Sequence, residues 1–479
     1  MTGPRFVAHD SQPGSGSVHW PQFGYIRPRQ EILWPEPFEM DSGETEMPLT
    51  CRLPSVRLTA VLVALMGVCF TAPAPAADVT GFRGTDGLAR SQEVGLPVSW
   101  SSSENVVWRV KMPGPGTSSP IVLGERIYVT SYTGYGLVPN QGEQANLKRQ
   151  VLCLDRASGR QIWRKEFAAK LPESNYSGGN NARHGYASST PTTDGKHLYV
   201  FFGKSGVFCL DLDGNTVWTA DVGSNSRGWG SSNSPVLFKN LVIINASIES
   251  GRLLALDKST GKEAWSVSQI RGAWNTPLLA EVEGGGPELV ISLPQQVRGL
   301  DPSTGKELWT CEGIPDRGYV CPSVVAEAGI VYAIGGRQNT ALAIRLGGRG
   351  DVTSSHLLWK ASRGSNVSSP VLAGGHLYWF HDRRGTAYCL DAKTGEIVYE
   401  SRLAPRPGLV YSSIMHADGK LYCISQHNGT YVVAPGPEFK LLAHNTFTDD
   451  DSRTNACPVA HNGQLLLRTD GFLYCLGKK

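Results

Sequence analysis

The chain is poor in charge and has no long stretch of one sign. Its formal net charge is +3 over 479 residues, and only 18% of the residues are Asp, Glu, Lys or Arg. A basic stripe or a run of Lys and Arg is absent, so nothing indicates a nucleic-acid partner. No window shows a sustained apolar period of 3.6 residues, which excludes a solenoid built from helices.

Motifs of common catalytic and metal sites are also missing. The chain has no G-x-S-x-G elbow, no H-E-x-x-H pair and no phosphate-binding loop. It contains 10 Cys but no C-x-x-C pair and no Cys/His spacing typical of zinc. Only Cys311 and Cys321, ten residues apart, have a spacing that suggests a disulfide. We expect no catalytic residues and no metal ligands.

Long apolar runs are absent, and one short run lies near the start. Two arginines precede the 13-residue run Leu58–Phe70, and small residues follow it up to Ala76. This layout is typical of a secretory signal peptide, and the run is short for a membrane span. We therefore assign 47–76 to a signal peptide and 1–46 to a disordered segment or a wrongly assigned start. The mature chain is expected in the periplasm or outside the cell, without a transmembrane span.

What the chain has instead is a repeat. The stretch ALDKSTGKEAW ends at Trp265, and similar stretches end at Trp163, Trp309 and Tyr399. The terminal aromatic residues are spaced by 40 to 55 residues, and a small polar residue followed by Pro, as in Cys321-Pro322, precedes most of the eight units. Each unit reads as four short β-segments. The chain is therefore predicted to be all-β, an eight-bladed β-propeller.

The two ends of the repeat region predict how the ring closes. The last unit stops after three strands, and a lone strand at 104–112 precedes the first unit. We expect this strand to complete the last blade, which leaves no open sheet edge. The propeller is then a single domain at 100–477. Residues 77–99 are expected to form an N-terminal strap on the outside of the ring.

The repeat resembles that of pyrroloquinoline-quinone-like (PQQ-like) propellers, whose pattern A-x-D-x-x-T-G-K-x-x-W is matched by ALDKSTGKEAW. The resemblance covers essentially all of 100–477. The family includes quinoprotein alcohol dehydrogenases, and also non-enzymatic members such as the propeller lipoprotein of the outer-membrane β-barrel assembly machinery. The resemblance therefore implies an eight-bladed fold but leaves the function open.

The quinoprotein enzymes of this family use two adjacent Cys over the quinone, and Glu, Asn and Asp ligands for calcium. The chain has no Cys-Cys dipeptide and no C-x-x-C-H haem motif. Acidic residues on the relevant loops are few, and an oxygen cage for calcium would have to come from side chains such as Glu249, Asp316, Asp382 and Asp470. We expect no cofactor, with PQQ and calcium as the alternative.

Propeller geometry separates two groups of residues. A ligand or partner is expected to contact the face that carries the loops before each first strand. Aromatic, amide and Arg side chains there suit stacking and hydrogen bonding, although small polar residues at strand starts also cap turns. The predicted rim comprises Ser118, Arg183, Lys204, Trp229, Asn233, Trp274, Tyr319, Arg337, Asn366, Asp382, Tyr411, His427 and Arg453. Residues expected to be purely structural are Asp155, Trp163, Trp218, Asp257, Gly261, Trp265, Asp301, Trp309, Trp359 and Asp391.

Three functions remain open at this point. The first is a non-catalytic exported propeller that binds a protein or polymer partner as a scaffold at the cell envelope. The second is a dehydrogenase that depends on PQQ and calcium. The third is a polymer- or carbohydrate-associated protein that acts at the rim.

Overall fold

The computed structural model describes residues 77–176 and 184–478, and their regular secondary structure is almost entirely β-strand. The strands form eight sheets of four or five strands, and seven of the sheets follow the order of the chain. This arrangement confirms the predicted eight-bladed β-propeller. The segments 1–46 and 47–76, with the predicted signal peptide, lie outside the described residues.

Each of the first four blades is an antiparallel meander from the innermost to the outermost strand. Blade one consists of Ile121–Leu123, Arg126–Thr133, Lys148–Asp155 and Gln161–Ala168. Blade two consists of Thr192–Thr193, His197–Phe201, Val207–Asp211 and Thr216–Ala220. Blade three consists of Val236–Phe238, Leu241–Ala246, Arg252–Asp257 and Glu263–Val267. Blade four consists of Leu278–Ala280, Glu288–Leu293, Gln296–Leu300 and Glu307–Glu312, with Gly350–Asp351 added in parallel outside it.

The remaining four blades follow the same plan. Blade five consists of Val325–Glu327, Ile330–Gly335, Thr340–Arg345 and Leu357–Ala361. Blade six consists of Val371–Ala373, His376–Phe380, Thr386–Asp391 and Ile397–Arg402. Blade seven consists of Met415–Ala417, Lys420–Ile424, Thr430–Ala434 and Lys440–Asn445. Blade eight consists of Val459–His461, Gln464–Arg468, Phe472–Leu476 and Val106–Lys111. Short helical turns lie at Gln144–Asn146, Gly203–Ser205 and Thr353–His356.

The ring is closed by its N-terminal strand. Val106–Lys111 runs antiparallel to Phe472–Leu476, with Trp108 opposite Cys475. The predicted closure of the last blade by strand 104–112 is therefore confirmed. The strand supplies the hydrogen-bonding partner that the last three strands would otherwise lack at their outer edge.

The meander gives the ring two unlike faces. We call the first the loop face: it carries the loops that lead into the innermost strands and the hairpin tips between second and third strands. We call the other the turn face, since it carries the turns between third and outermost strands. In blade three, for example, the tip 247–251 lies on the loop face and the turn 258–262 on the turn face.

The repeat tryptophans join neighbouring blades at the turn face. Nε1 of Trp265 in blade three donates a hydrogen bond to the carbonyl oxygen of Pro302 in blade four, at 3.2 Å. The indole also covers Gly305, where a Cβ atom would lie 2.5 Å from the ring. Because Gly305 has φ +72°, the turn needs glycine both for its backbone and for this contact. The same indole-to-carbonyl bond joins Trp108 to Arg156, Trp163 to Leu212, Trp218 to Lys258, and Trp359 to Ala392.

Blade five interrupts this series. Its turn Leu346-Gly347-Gly348 lacks the Asp and the Thr-Gly pair, so it offers Trp309 no matching carbonyl. Nε1 of Trp309 donates instead to Oε2 of Glu288 within its own blade, at 2.6 Å. The indole is completely buried.

The repeat Asp organises the turn that receives the indole. Oδ1 of Asp257 accepts the backbone N–H groups of Ser259 at 3.1 Å and Thr260 at 2.9 Å. Hydrogen bonds from the side chains of Ser259 and Thr260 lower the pKa of Asp257 to about 2. Asp155, Asp301 and Asp391 accept N–H groups of their own turns in the same way. The carboxylate therefore satisfies backbone donors that the turn would otherwise leave unpaired.

The N-terminal strap does not lie on the outside of the ring, so that expectation was wrong. Val79 forms a bridge with Val122, and Arg90–Ser91 pairs in parallel with the innermost strand of blade seven. The carbonyl oxygen of Thr80 accepts the N–H of Thr193 in blade two, at 2.9 Å. Innermost strands present unpaired backbone groups toward the channel, and an extended segment can bond to them. Residues 79–91 of the strap therefore cross the channel near the turn face, and residues 96–98 bond the outer part of blade seven.

The cysteines of the described chain are all free thiols. Cys311 is buried in a cluster with Trp309 and Val297, whereas Cys321 lines a different space on the loop face. The disulfide considered for this pair is therefore not formed. The apolar core lies between adjacent blades: Phe201 of blade two and Leu254 of blade three, for example, belong to one buried cluster.

Candidate functional site

A closed ring of hydrogen bonds surrounds the channel just below the loop face. In each blade, the residue two positions before the innermost strand donates its backbone N–H to the side chain of the matching residue in the next blade. The series ends where the N–H of Cys457 donates to Oγ of Ser119 at 3.0 Å. The members of this polar ring are Ser119, Thr190, Ser234, Thr276, Ser323, Ser369, Ser413 and Cys457.

The polar ring corrects the sequence alignment of blade five. In the sequence, the pair Cys321-Pro322 matches the small polar residue and Pro that precede most of the other blades. The hydrogen bonds show that Ser323 occupies this place, since its Oγ accepts from Thr276 at 3.0 Å and its N–H donates to Ser369 at 2.9 Å. Cys321 lies two residues earlier and is free to line the space above the ring.

A cavity of about 150 Å³ opens above the polar ring. Five consecutive members of the ring, from Thr276 to Cys457, contribute to its wall, and Phe82 of the strap reaches it from the side of the turn face. Trp229 and Trp274 form part of the wall toward the loop face, together with Tyr411. The cavity is thus lined by hydroxyl groups and aromatic rings.

Three aromatic side chains form a packed cluster beside this cavity. The ring centroids of Trp229 and Tyr319 are 4.6 Å apart, and those of Trp274 and Tyr319 are 6.1 Å apart, both in edge-on geometry. Trp274 and Tyr319 are 7% and 8% exposed. The guanidinium of Arg337 lies 5.2 Å from the Tyr319 centroid, and that of Arg227 lies 6.0 Å from the Trp274 centroid. We call these three rings the aromatic cluster.

The structure brings four of the predicted rim residues into the cavity wall: Trp229, Trp274, Asn366 and Tyr411. Tyr319 joins them through its hydroxyl, which accepts a 2.8 Å hydrogen bond from Nδ2 of Asn366. Oδ1 of Asn366 is buried, and no described residue donates to it.

Four other predicted rim residues are buried and do not form a rim. Ser118, Asn233 and Asp382 are at most 1% exposed, and Lys204 is 7% exposed. Oγ of Ser118 accepts the N–H of Thr130 at 3.0 Å, and Nζ of Lys204 donates to a backbone carbonyl at 2.7 Å. Polar residues next to a strand start bond the neighbouring backbone, and here that local role brings them inside.

The remaining predicted rim residues lie around the edge of the loop face. Arg337 and His427 are exposed at hairpin tips. Arg453 is held by Asp470, with Nη2 at 2.8 Å from Oδ2. Arg183 lies outside the described residues. Sequence reasoning missed Phe82, because the strap was placed elsewhere, and Ser323, because a neighbouring Cys-Pro pair imitated the repeat.

The residues present do not fit the calcium site that a quinoprotein would need. Glu249, Asp316, Asp382 and Asp470 belong to different blades, and each is engaged by hydrogen bonds on its own or a neighbouring loop. Across 77–176 and 184–478, no three His, Cys, Asp or Glu side chains are grouped so as to hold a metal ion. Since calcium takes at least six oxygen ligands, and adjacent cysteines are also missing from the sequence, we derive no step that uses the quinone.

One pair of side chains in the cavity wall resembles a nucleophile and its base. Nδ1 of His184 lies 2.7 Å from Oγ of Ser188. Burial lowers the pKa of His184 to about 4, and the charge of Arg453 acts in the same direction. A base with so low a pKa accepts a serine proton poorly at neutral pH. The pair forms a hydrogen bond, and the low pKa of His184 weakens it as a general base.

Sequence comparison connects the chain with assembly factors of the outer membrane. The family model described as outer membrane protein assembly factor BamB matches residues 147–401 and 294–434. BamB of Yersinia pestis is 25% identical over 307 residues, which cover 60% of this chain and 72% of that protein. BamB of Burkholderia pseudomallei is 26% identical over 162 residues, 33% of this chain and 32% of that protein.

Solved structures with a similar fold come from proteins of more than one kind. BamB from Moraxella catarrhalis has 18% identity and a TM-score of 0.45, over 67% of this chain and 82% of its own. A europium-containing methanol dehydrogenase has 13% identity and a TM-score of 0.46, over 76% of this chain and 90% of its own.

Proposed function

The chain belongs to the family of outer membrane protein assembly factor BamB, and on this basis we propose that it is an exported, non-catalytic β-propeller that binds protein partners during outer-membrane protein assembly. The family match spans residues 147–434, from the third strand of blade one to the third strand of blade seven. Both curated relatives carry the name of an assembly factor. Binding, rather than chemistry, is the activity that this membership favours.

The observation that carries the proposal is the composition of the loop face. The aromatic cluster lies beside exposed Arg337 and close to Arg227. Trp, Tyr and Arg are the residue types that dominate the energetics of protein interfaces. The pair His184 and Ser188 on this face contains a histidine whose pKa is lowered to about 4, which weakens it as a general base. These features support partner binding at the loop face, without PQQ or calcium.

We place the protein on the periplasmic side of the cell envelope. The apolar run Leu58–Phe70 with its flanking residues supports export. Within the described residues, no helix has the length and apolar character needed to cross a membrane.

Site-directed photocrosslinking in living cells tests which face meets the partner. A photoreactive amino acid would replace exposed Arg337 on the loop face or, as the matched control, exposed Lys262 on the turn face. We expect a crosslink from position 337 to a component of outer-membrane protein assembly, identified by mass spectrometry, and none from position 262. Crosslinks to such proteins from position 262 alone would contradict the proposal.

A further inference from the structure

Arginines are concentrated on one part of the loop face. The loops and hairpin tips from blade three to the start of blade seven, between residues 221 and 413, contain eight Arg and no Lys. Seven of these arginines are exposed, and Arg363 is half-buried. We call the set the arginine arc; it consists of Arg227, Arg271, Arg317, Arg337, Arg363, Arg383, Arg384 and Arg406.

The arginine arc is not balanced by acidic side chains of the same loops. Those loops contain four acidic residues, so eight positive and four negative charges leave a formal charge of +4. Glu249 and Asp382 are 1% exposed, Asp221 pairs with a lysine outside the arc, and Oδ1 of Asp316 accepts a backbone N–H of its own turn. Among the charged side chains of these loops, the exposed ones are therefore mostly positive.

Most of the guanidinium groups have no carboxylate partner. Arg363 pairs with Glu400 at 3.0 Å, and Arg383 approaches Asp382 at 3.4 Å. The other six arginines form no ion pair with any residue that the structure describes. A guanidinium presents a planar fork of N–H donors that matches a carboxylate, often through two parallel hydrogen bonds.

The surroundings of the arc favour a polypeptide over a membrane surface. Anchoring in the membrane interface uses protruding apolar side chains in addition to basic ones. The exposed large apolar side chains of the described chain lie elsewhere, such as Leu137 and Val138 on the tip of blade one and Val217 on an outermost strand. The aromatic cluster next to the arc is recessed. A side chain of the partner can pack against this cluster while the arginines bind the carboxylates of the partner.

The surroundings of the two ends of the arc differ in charge. The loop into blade eight, one blade beyond the end of the arc, carries Asp449, Asp450 and Asp451. An acidic segment is repelled by these carboxylates and attracted by the arginines, so the two ends of the arc are not equivalent for it.

We infer that the arginine arc is a docking surface for an acidic segment, rich in Asp or Glu, of a protein partner. This inference rests on the proposed function and names the chemistry of the partner at the same face. It identifies the exposed guanidinium groups as the recognition elements and the aromatic cluster as the anchor beside them.

Titration with a defined probe tests the inference. Fluorescence anisotropy of a labelled glutamate-rich peptide, and of its glutamine counterpart, would be measured with the full chain at two salt concentrations. We expect the glutamate peptide alone to bind, and more weakly at higher salt, because exposed ion pairs are screened. Equal binding of both peptides, or no binding of either, would overturn the inference.

Charge-removing variants locate the site. The triple variant Arg383→Gln, Arg384→Gln, Arg406→Gln should bind the glutamate peptide about tenfold more weakly, because three exposed contacts are lost. A control triple on the turn face, Arg160→Gln, Lys262→Gln, Lys393→Gln, removes the same charge and should bind as the wild type does. Equal losses in the two triples would overturn the inference.

Two further outcomes separate competing explanations. If vesicles of phosphatidylglycerol bind through the arc and the peptide does not, the surface is a membrane site and the inference is wrong. If the peptide fails to bind but position 337 still crosslinks to an assembly component, the acidic partner is wrong and the proposed function stands.

Discussion

At the scale of single residues, the tryptophan of each strong repeat connects its blade to the next one. Trp265 is 9% exposed, and it bonds a carbonyl of the next blade while covering a glycine there. The pattern that identifies the family therefore describes contacts between blades. These contacts lie on the turn face, away from the cavity and the arginine arc.

Trp265→Ala should lower the free energy of unfolding by about 3–5 kcal/mol, since a large buried ring is lost and a cavity remains. Chemical denaturation measures the change. Ile397→Ala is the control, because Ile397 is 43% exposed and its truncation should change stability by less than about 0.5 kcal/mol. Similar losses in the two variants would contradict the assigned role of Trp265.

Glu249 makes stability depend on pH. Its carboxyl is 1% exposed, and burial raises its pKa to about 7, opposed by a hydrogen bond from Ser231. The folded protein then holds a proton that the unfolded chain releases near pH 4.5, so stability falls as the pH rises from about 4.5 to about 7.

Glu249→Gln should remove this dependence while keeping the shape of the side chain. Between pH 5 and pH 8, the unfolding free energy of the wild type is expected to fall by up to about 3 kcal/mol relative to that of the variant. Denaturation at a series of pH values gives the two curves. Parallel curves would show that Glu249 is not protonated in the folded state.

Predictions from the sequence were least accurate for the exposure of single residues. Ser118 and Asn233 stand at strand starts and looked accessible, yet both are completely buried. A short polar side chain at such a place can form hydrogen bonds with a ligand or with the neighbouring backbone. The packing of the folded protein determines which of the two it does. The arginine arc was invisible as a unit because its members are spread over residues 227–406.

At the scale of elements, the polar ring ties the innermost strands to one another. Each side chain accepts one N–H from the preceding blade, and the last bond returns to the first blade. In blade eight, Sγ of Cys457 replaces a hydroxyl and accepts the N–H of Ser413 at 3.3 Å. The position therefore requires a small acceptor and tolerates more than one kind.

Ser369→Ala should destabilise the protein by about 1–3 kcal/mol, because the buried N–H of Ser323 loses its acceptor. Ser369→Cys is the matched variant, since Cys457 shows that sulfur can serve in the ring, and it should lose less. Thermal or chemical denaturation compares them. A larger loss for Ser369→Cys than for Ser369→Ala would contradict the account of the ring.

Strand order and blade boundaries were predictable wherever the repeat is strong. The Asp, the Thr-Gly turn and the Trp mark three fixed points of a blade, so four strands follow from one unit. Blade five was misaligned by two residues, because Cys321-Pro322 matches the expected pair and Ser323-Val324 does not. A hydrogen-bond pattern can be satisfied by residues that a sequence pattern does not anticipate.

At the scale of the whole molecule, the closed ring was predictable and the course of the strap was not. Counting units gave eight blades, and an incomplete last unit with a lone first strand gave the closure. The strap has no periodicity to show which edge it would meet. Its contacts with blades one, two and seven depend on a channel that exists only once the ring is formed.

Deletion of the gene tests whether this ring serves outer-membrane protein assembly by binding. The readout is the amount of folded β-barrel protein in the outer membrane, measured by heat-modifiable electrophoretic mobility. We expect a lower amount of folded barrels in the deletion strain, restored by the wild-type gene. An unchanged amount of folded barrels after deletion would contradict it.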